Sequence, residues 1–126
     1  MNIKEQIVEF LSKQGLRPEI EDDAIYFRYQ MLNYYIQWDE EDANFLQIAL
    51  PGVMDTDDNN RIDALEACNA VNDRRKVVKA VITPRGKVWI LAEQLLDQDP
   101  ALDDVIPRTI NMLMQAYNIF LEEMRK

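Results

Sequence analysis

The sequence predicts an α+β fold: three helices and a five-stranded antiparallel sheet in the order α-β-β-β-α-β-β-α. Two observations carry this reading. Five short runs alternate apolar and polar residues, are rich in aromatic and β-branched side chains, and sit too close together for parallel crossovers within each group. Three longer segments, at the start, middle and end, repeat their apolar residues at helical spacing.

The first helix is expected over 3–14. Asn2 can cap it, Glu5 completes a capping box, and Ile3, Ile7, Phe10, Leu11 and Gln14 share a face. Gly15 suits the position after the helix, where the backbone turns left-handed. Strands follow at 24–29, 31–38 and 45–50, joined by Gln30 and by the polar spacer 39–44. In the first, Ile25, Phe27 and Tyr29 face one way, and Tyr26 and Arg28 the other. In the second, Leu32, Tyr34, Ile36 and Trp38 lie together. Pro51-Gly52 is expected to end the third strand.

A second helix is predicted over 61–75. Ile62, Leu65, Cys68 and Val71 are assigned to its core side, with Ala64, Ala67 and Ala70 letting it lie near the sheet. Asn69 and Asn72, on a flank of this stripe, are placed to hydrogen-bond strand ends or the following backbone. A hairpin follows, with strands 77–83 and 87–92 and the turn Thr83-Pro84-Arg85-Gly86. The last helix is expected over 101–124, with Pro107 kinking it or marking its first turn. Its apolar arc spans roughly 220°, against the ~100° that one-sided packing needs. Met114 and Leu121 widen that arc. The expectation is a helix that packs on its own sheet and on a second subunit or partner.

At 126 residues, with 48% hydrophobic and 29% charged, the chain reads as one globular domain over 1–126. Its net charge of −9 disfavours nucleic acid and acidic membranes as partners. No apolar run approaches the ~20 residues of a membrane helix. The N-terminus has no apolar core of a signal peptide, and a single cysteine suits a reducing compartment, so a cytoplasmic location is expected. The cations are unevenly spread: Arg74, Arg75, Lys76, Lys79, Arg85 and Lys87 lie within fourteen residues. Arg74, Arg75 and Lys76 also suit the helix dipole, and they are candidate contacts for an acidic segment of a partner or of another copy.

Little in the chain points to catalysis. It has no histidine, which removes the commonest general base and metal ligand, and no glycine-rich phosphate loop. Cys68 has no histidine partner and reads as a buried thiol. The pairs Asp22-Asp23, Glu40-Glu41 and Asp103-Asp104 read as solvated surface. The stretch DTDDNNRIDALE (55–66) resembles a calcium loop in its ligand types, with Asp55, Asp57, Asn59 and Glu66 at liganding positions. Against calcium stand Asn60 where glycine is usual, a strand rather than a helix entering the loop, and the lack of a second loop. The favoured alternative is an acidic loop that caps the second helix. No cofactor is expected.

The element order, together with QGLRPEI (14–20), YYIQWDEED (34–42), CNAVNDRRKVVKA (68–80), KVWILAEQLLD (87–97) and the LEEMRK ending, resembles the YbjN-like proteins. These are bacterial proteins described as sensory-transduction regulators, and they are similar in fold to type III secretion chaperones. The resemblance covers essentially the whole chain and contains no catalytic motif. It implies a five-stranded sheet flanked by helices, and relatives that are often homodimers binding an extended client segment. The functional expectation is therefore a non-enzymatic protein-binding or chaperone-like module, a homodimer, with a protein or peptide partner. Tyr34, Trp38 and Trp89, with Tyr26, are candidate contacts if their face is exposed and core residues otherwise. A small-ligand sensor, or calcium binding through 55–66, is the alternative.

Overall fold

Three helices lie on one face of a six-stranded antiparallel sheet. The computed structural model describes every residue except Met1, Glu40 and Ala43. Parts of the expected spacer 39–44 and of the Glu40-Glu41 pair thus lie outside the described residues. The elements are α1 (Ile3–Lys13), β1 (Glu19–Ile20), β2 (Ala24–Tyr29), β3 (Leu32–Trp38), β4 (Phe45–Asp55), α2 (Arg61–Arg74), β5 (Val78–Ile82), β6 (Lys87–Leu95) and α3 (Leu102–Met124). The strand order is β1-β2-β3-β4-β6-β5, and every pairing is antiparallel.

Both ends of α1 follow the local chemistry. Glu5 N–H donates to Asn2 Oδ1 at 2.8 Å, and the Asn2 amide reaches back to the Glu5 carboxylate. At the other end Leu16 N–H bonds the Leu11 carbonyl and Gly15 N–H that of Ser12, with Gly15 at φ +80°. That is a Schellman motif, which a glycine makes without a Cβ penalty.

Two strand expectations change. The sheet has six strands rather than five, because the two residues of β1 pair with Tyr26 and Ile25. Two exposed residues after a proline show no alternation, so this strand leaves no periodic trace in the sequence. Pro51-Gly52 does not end β4. The strand runs on to Asp55, and its register against β6 shifts between Leu50 and Met54. A bulge there, with Gly52 at φ +58°, absorbs the two residues that a regular strand would reject.

The core lies between the helices and one face of the sheet. Strand register puts Ile25, Phe27, Tyr34, Ile36, Trp38, Leu46, Ile48, Leu50, Ile90 and Ala80 on that face, and all are buried. Ile7 and Leu11 come from α1, and Ile106, Leu113 and Phe120 from α3. The inner face of α2 consists of Ala64, Ala67, Cys68 and Val71, whereas Ile62 and Leu65 are 72% and 48% exposed, a correction to their expected place. The small side chains win the inside because α2 packs closely on β5 and α3, and the interaxial distance is set by side-chain size at the contact.

Helix α3 begins at Leu102, so Pro107 is interior rather than in its first turn. The wide apolar arc is used within the chain. Leu102, Ile106, Ile110, Leu113, Ala116 and Phe120 are buried, and Met112, Met114, Tyr117, Ile119 and Leu121 are half-buried against the same core. This helix is enclosed by the sheet, α1 and α2 together. Helix-to-helix packing on both flanks thus takes up much of the arc's width within the chain, and Met112, Met114, Tyr117, Ile119 and Leu121 keep part of their surface exposed.

Candidate interaction surfaces

Among the described residues the sheet's other face carries no helix. Its buried residues, Ala24, Ala49 and Leu91, stand outside the core cluster and are shielded by neighbours on their own face. Register assembles the rest: Tyr26 opposite Tyr35, Tyr35 opposite Ala49, Ala49 opposite Leu91, and Trp89 opposite Val81. The Tyr26 and Tyr35 rings meet edge-on at 5.1 Å, and Tyr35 meets Trp89 at 5.9 Å. Burial in this strip pushes the Tyr35 hydroxyl above its ordinary pKa, helped by Tyr26 and Asp23. At one end Leu95, opposite Phe45, is 81% exposed.

Two ion pairs cross the strands of this face, while Arg28 beside Tyr26 and Glu19 opposite it make no ion pair among the described residues. Lys79 bonds Glu93, and Lys87 Nζ lies 2.7 Å from the Asp55 carboxylate. The result is a nearly neutral aromatic band on a protein of net charge −9.

A second surface lies on the helix side. Arg74, Arg75 and Lys76, at the end of α2, meet Arg108, Asn111 and Gln115 of α3 around a hollow of about 330 Å³. Arg75 Nε donates to the Arg74 carbonyl and Nη1 to the Gln115 side chain. Arg74 pairs with Glu123 at 3.0 Å, and Arg108 with Asp104 at 3.4 Å. Lys126 first, then Arg74, holds the Glu123 carboxyl below the usual carboxylate range. Next to Lys76, Val77 sits at φ +75°, a left-handed conformation that a β-branched residue rarely adopts.

A third hollow, about 280 Å³, lies between α1, the β2–β3 turn and α3, with Phe10, Leu16, Tyr29, Pro107 and Met114 among its walls.

The expected contact residues therefore scatter. Tyr34 and Trp38 face the core at 0% and 5% exposure, so they offer no surface to a partner in this fold. Tyr34 stacks on Phe27 at 5.2 Å. Trp89 lies on the open face, Met114 on the small hollow, and Leu121 half-buried against the core. Arg74, Arg75 and Lys76 do converge, with Arg108 as a fourth cation. Arg108 is thirty-three residues from Arg75 in the chain, so no local signal could have joined them. Tyr35 was within reach, since alternation places it opposite Tyr34.

The loop 55–66 is used internally. Asp57 Oδ1 accepts from the N–H groups of Asn59 and Asn60, at 2.8 and 3.0 Å, and Asn60 Oδ1 accepts from Asp57 N–H. Asp55 is held by Lys87, Glu66 is exposed on α2, and Arg61 and Arg85 line the same hollow as Asp57 and Asp58. Among the described residues no cluster of acidic or thiol side chains could hold a metal ion. Asp55, Asp57, Asn59 and Glu66 are thus not gathered as a calcium site requires. The capping role falls to Asp57; Asn60, at the helix boundary, makes no side-chain cap bond. Cys68 is buried, which raises its thiol pKa and keeps it protonated.

The YbjN family, described as "Putative bacterial sensory transduction regulator", matches residues 4–125. The chain belongs to this family. Two solved structures share its fold. One is YbjN from E. coli, called "a putative transcription regulator", with a TM-score of 0.74 and 12% identity over 94% of this chain and 89% of that one. The other is an uncharacterized protein from Methanothermobacter thermautotrophicus, with a TM-score of 0.69 and 14% identity over 97% and 96%. No curated protein matches the sequence. Among the described residues no helix of this YbjN-family chain is long and apolar enough to cross a membrane.

Proposed function

We propose that this chain is a non-enzymatic, cytoplasmic regulatory module that works by protein contact through the open face of its sheet, and that the occupant is a second copy of the chain. The neutral aromatic band carries this reading. Elsewhere the net charge of −9 repels another copy, but on this face Lys79 and Lys87 are already matched by Glu93 and Asp55. A twofold contact needs a patch complementary to itself, and an aromatic band whose lysines are matched and whose Arg28 and Glu19 offset each other has that property. The exposed Leu95 and the half-buried Trp89 supply the area to bury. Apart from the added two-residue β1, the element order α-β-β-β-α-β-β-α supports kinship with the secretion-chaperone fold, in which an extended client segment would be the competing occupant.

The test is mass by light scattering during gel filtration. The expected result is a dimer that becomes monomeric in Leu95→Asp and in Trp89→Glu, while Ile62→Asp on the outer face of α2 leaves it intact. A wild-type monomer at high concentration would falsify the reading. So would a dimer broken by Ile62→Asp and untouched by Leu95→Asp, because the contact would then lie on α2.

A further inference from the structure

We infer that the hollow between the end of α2 and α3 binds a phosphate-class dianion. It is a separate surface from the sheet face, and it stands whether or not the chain dimerises. Four cations from the end of α2 and from α3 surround it, on a protein with fourteen cations against twenty-three carboxylates. Its volume, about 330 Å³, lies at the small end of the ligand-pocket range of roughly 300–1,000 Å³. A phosphate group fits such a concavity better than an extended acidic peptide, which needs a long groove.

The donors suit phosphate. Arg75 is held by the Arg74 carbonyl and by the Gln115 side chain, which orients the guanidinium while leaving further N–H donors of its fork open. A planar fork matches phosphate oxygens two at a time. Lys76 makes no ion pair among the described residues and adds a mobile point charge. Asn111 and the Gln115 amide supply neutral donors. Glu123 on Arg74 and Asp104 on Arg108 reduce the positive field at the rim without touching Arg75 or Lys76. The strained Val77 follows directly, in the connection that fixes where Lys76 leaves the helix.

The probe is inorganic pyrophosphate, titrated calorimetrically into the intact chain at low ionic strength. One site per chain is expected, weakening as salt rises. Arg75→Ala with Lys76→Ala is expected to abolish the heat, and Arg108→Ala to weaken binding about tenfold. Arg75→Lys, which keeps the charge and the fold but loses the fork, is expected to weaken it about tenfold as well. Arg74 is left unchanged because its ion pair with Glu123 ties α2 to α3. Three results overturn the inference: no heat with millimolar pyrophosphate, full binding in a double variant whose circular dichroism is native, or equal displacement by a glutamate peptide of the same charge.

Discussion

Asn72 holds Ala80 by both of its backbone groups. The Ala80 N–H donates to Asn72 Oδ1 at 2.7 Å, and Asn72 Nδ2 donates to the Ala80 carbonyl at 3.1 Å. Ala80 lies in β5, the last strand of the sheet, so the carboxamide takes the place that another strand would occupy. The expected role of this asparagine as a partner of a strand backbone thus holds, and it occupies the outward backbone pair at the middle of this edge strand.

Replacing Asn72 with Ala leaves two part-buried backbone groups without partners. The expected cost is about 2 kcal/mol, read from the urea midpoint. The variant is also expected to aggregate sooner on heating, as an exposed edge does. An unchanged midpoint would mean that water replaces the amide without loss.

Tyr34 is buried with a hydroxyl that has no hydrogen-bond partner among the described residues. Desolvation raises its pKa far above the ordinary tyrosine value, with a smaller push from Tyr29. Tyr34→Phe removes an unsatisfied polar atom and keeps the ring on Phe27, so stability should rise by about 1 kcal/mol. Thermal unfolding checks this, and a lower Tm would reveal an ordered water at the hydroxyl.

Among the described residues three besides glycine carry positive φ: Gln30, Met31 and Val77. The first two form the two-residue β2–β3 turn, where Asn-Gly is the usual pair. Gln30→Asn with Met31→Gly should add about 1 kcal/mol. Val77→Asn should add a similar amount, about 1 kcal/mol. Chemical denaturation of the two variants measures each, and a loss of stability in either would show that the native side chain makes contacts that outweigh its strain.

Stability should fall in alkali. Burial raises the pKa of Cys68 above the ordinary thiol value of 9.0, and it raises Tyr34 and Tyr35 above 10.0. Above those ordinary values the unfolded chain loses protons that the folded chain keeps, so rising pH favours unfolding. The contribution is complete below pH 9 and declines beyond it. Urea midpoints across this range should drop less in Cys68→Ala than in the wild type. The native thiol should also resist a disulfide reagent until the chain unfolds.

Calcium should be without effect. Millimolar calcium titrated into the chain is expected to give no one-site heat, because Asp57 and Asn60 already bond the loop backbone and Asp55 is bound to Lys87. A saturable isotherm lost in Asp57→Asn would reverse that view.

Local chemistry was enough to place the helices, five of the six strands, the Asn2 cap, the Gly15 stop and the Thr83-Pro84-Arg85-Gly86 turn. Each depends on residues a few positions apart, and those distances are set by the backbone itself. β1 escaped because two residues make no period. The course of β4 beyond Pro51 escaped because a bulge is settled by the partner strand. Helical spacing puts Ile62 and Leu65 on one stripe with Cys68 and Val71, whereas close packing on β5 and α3 turns the alanine side of the helix inward and leaves those two outside.

The candidate surfaces divide the same way. Alternation sets Tyr34 and Trp38 on one side of their strand and Tyr35 on the other, but it cannot say which side the helices will cover. That depends on where the chain lays α1, α2 and α3, and all three lie against the Tyr34 side. Charge counting likewise found Arg74, Arg75 and Lys76 as neighbours along the chain. Arg108 joined them only when α3 packed beside α2, because a pocket is a relation between segments that no single segment encodes.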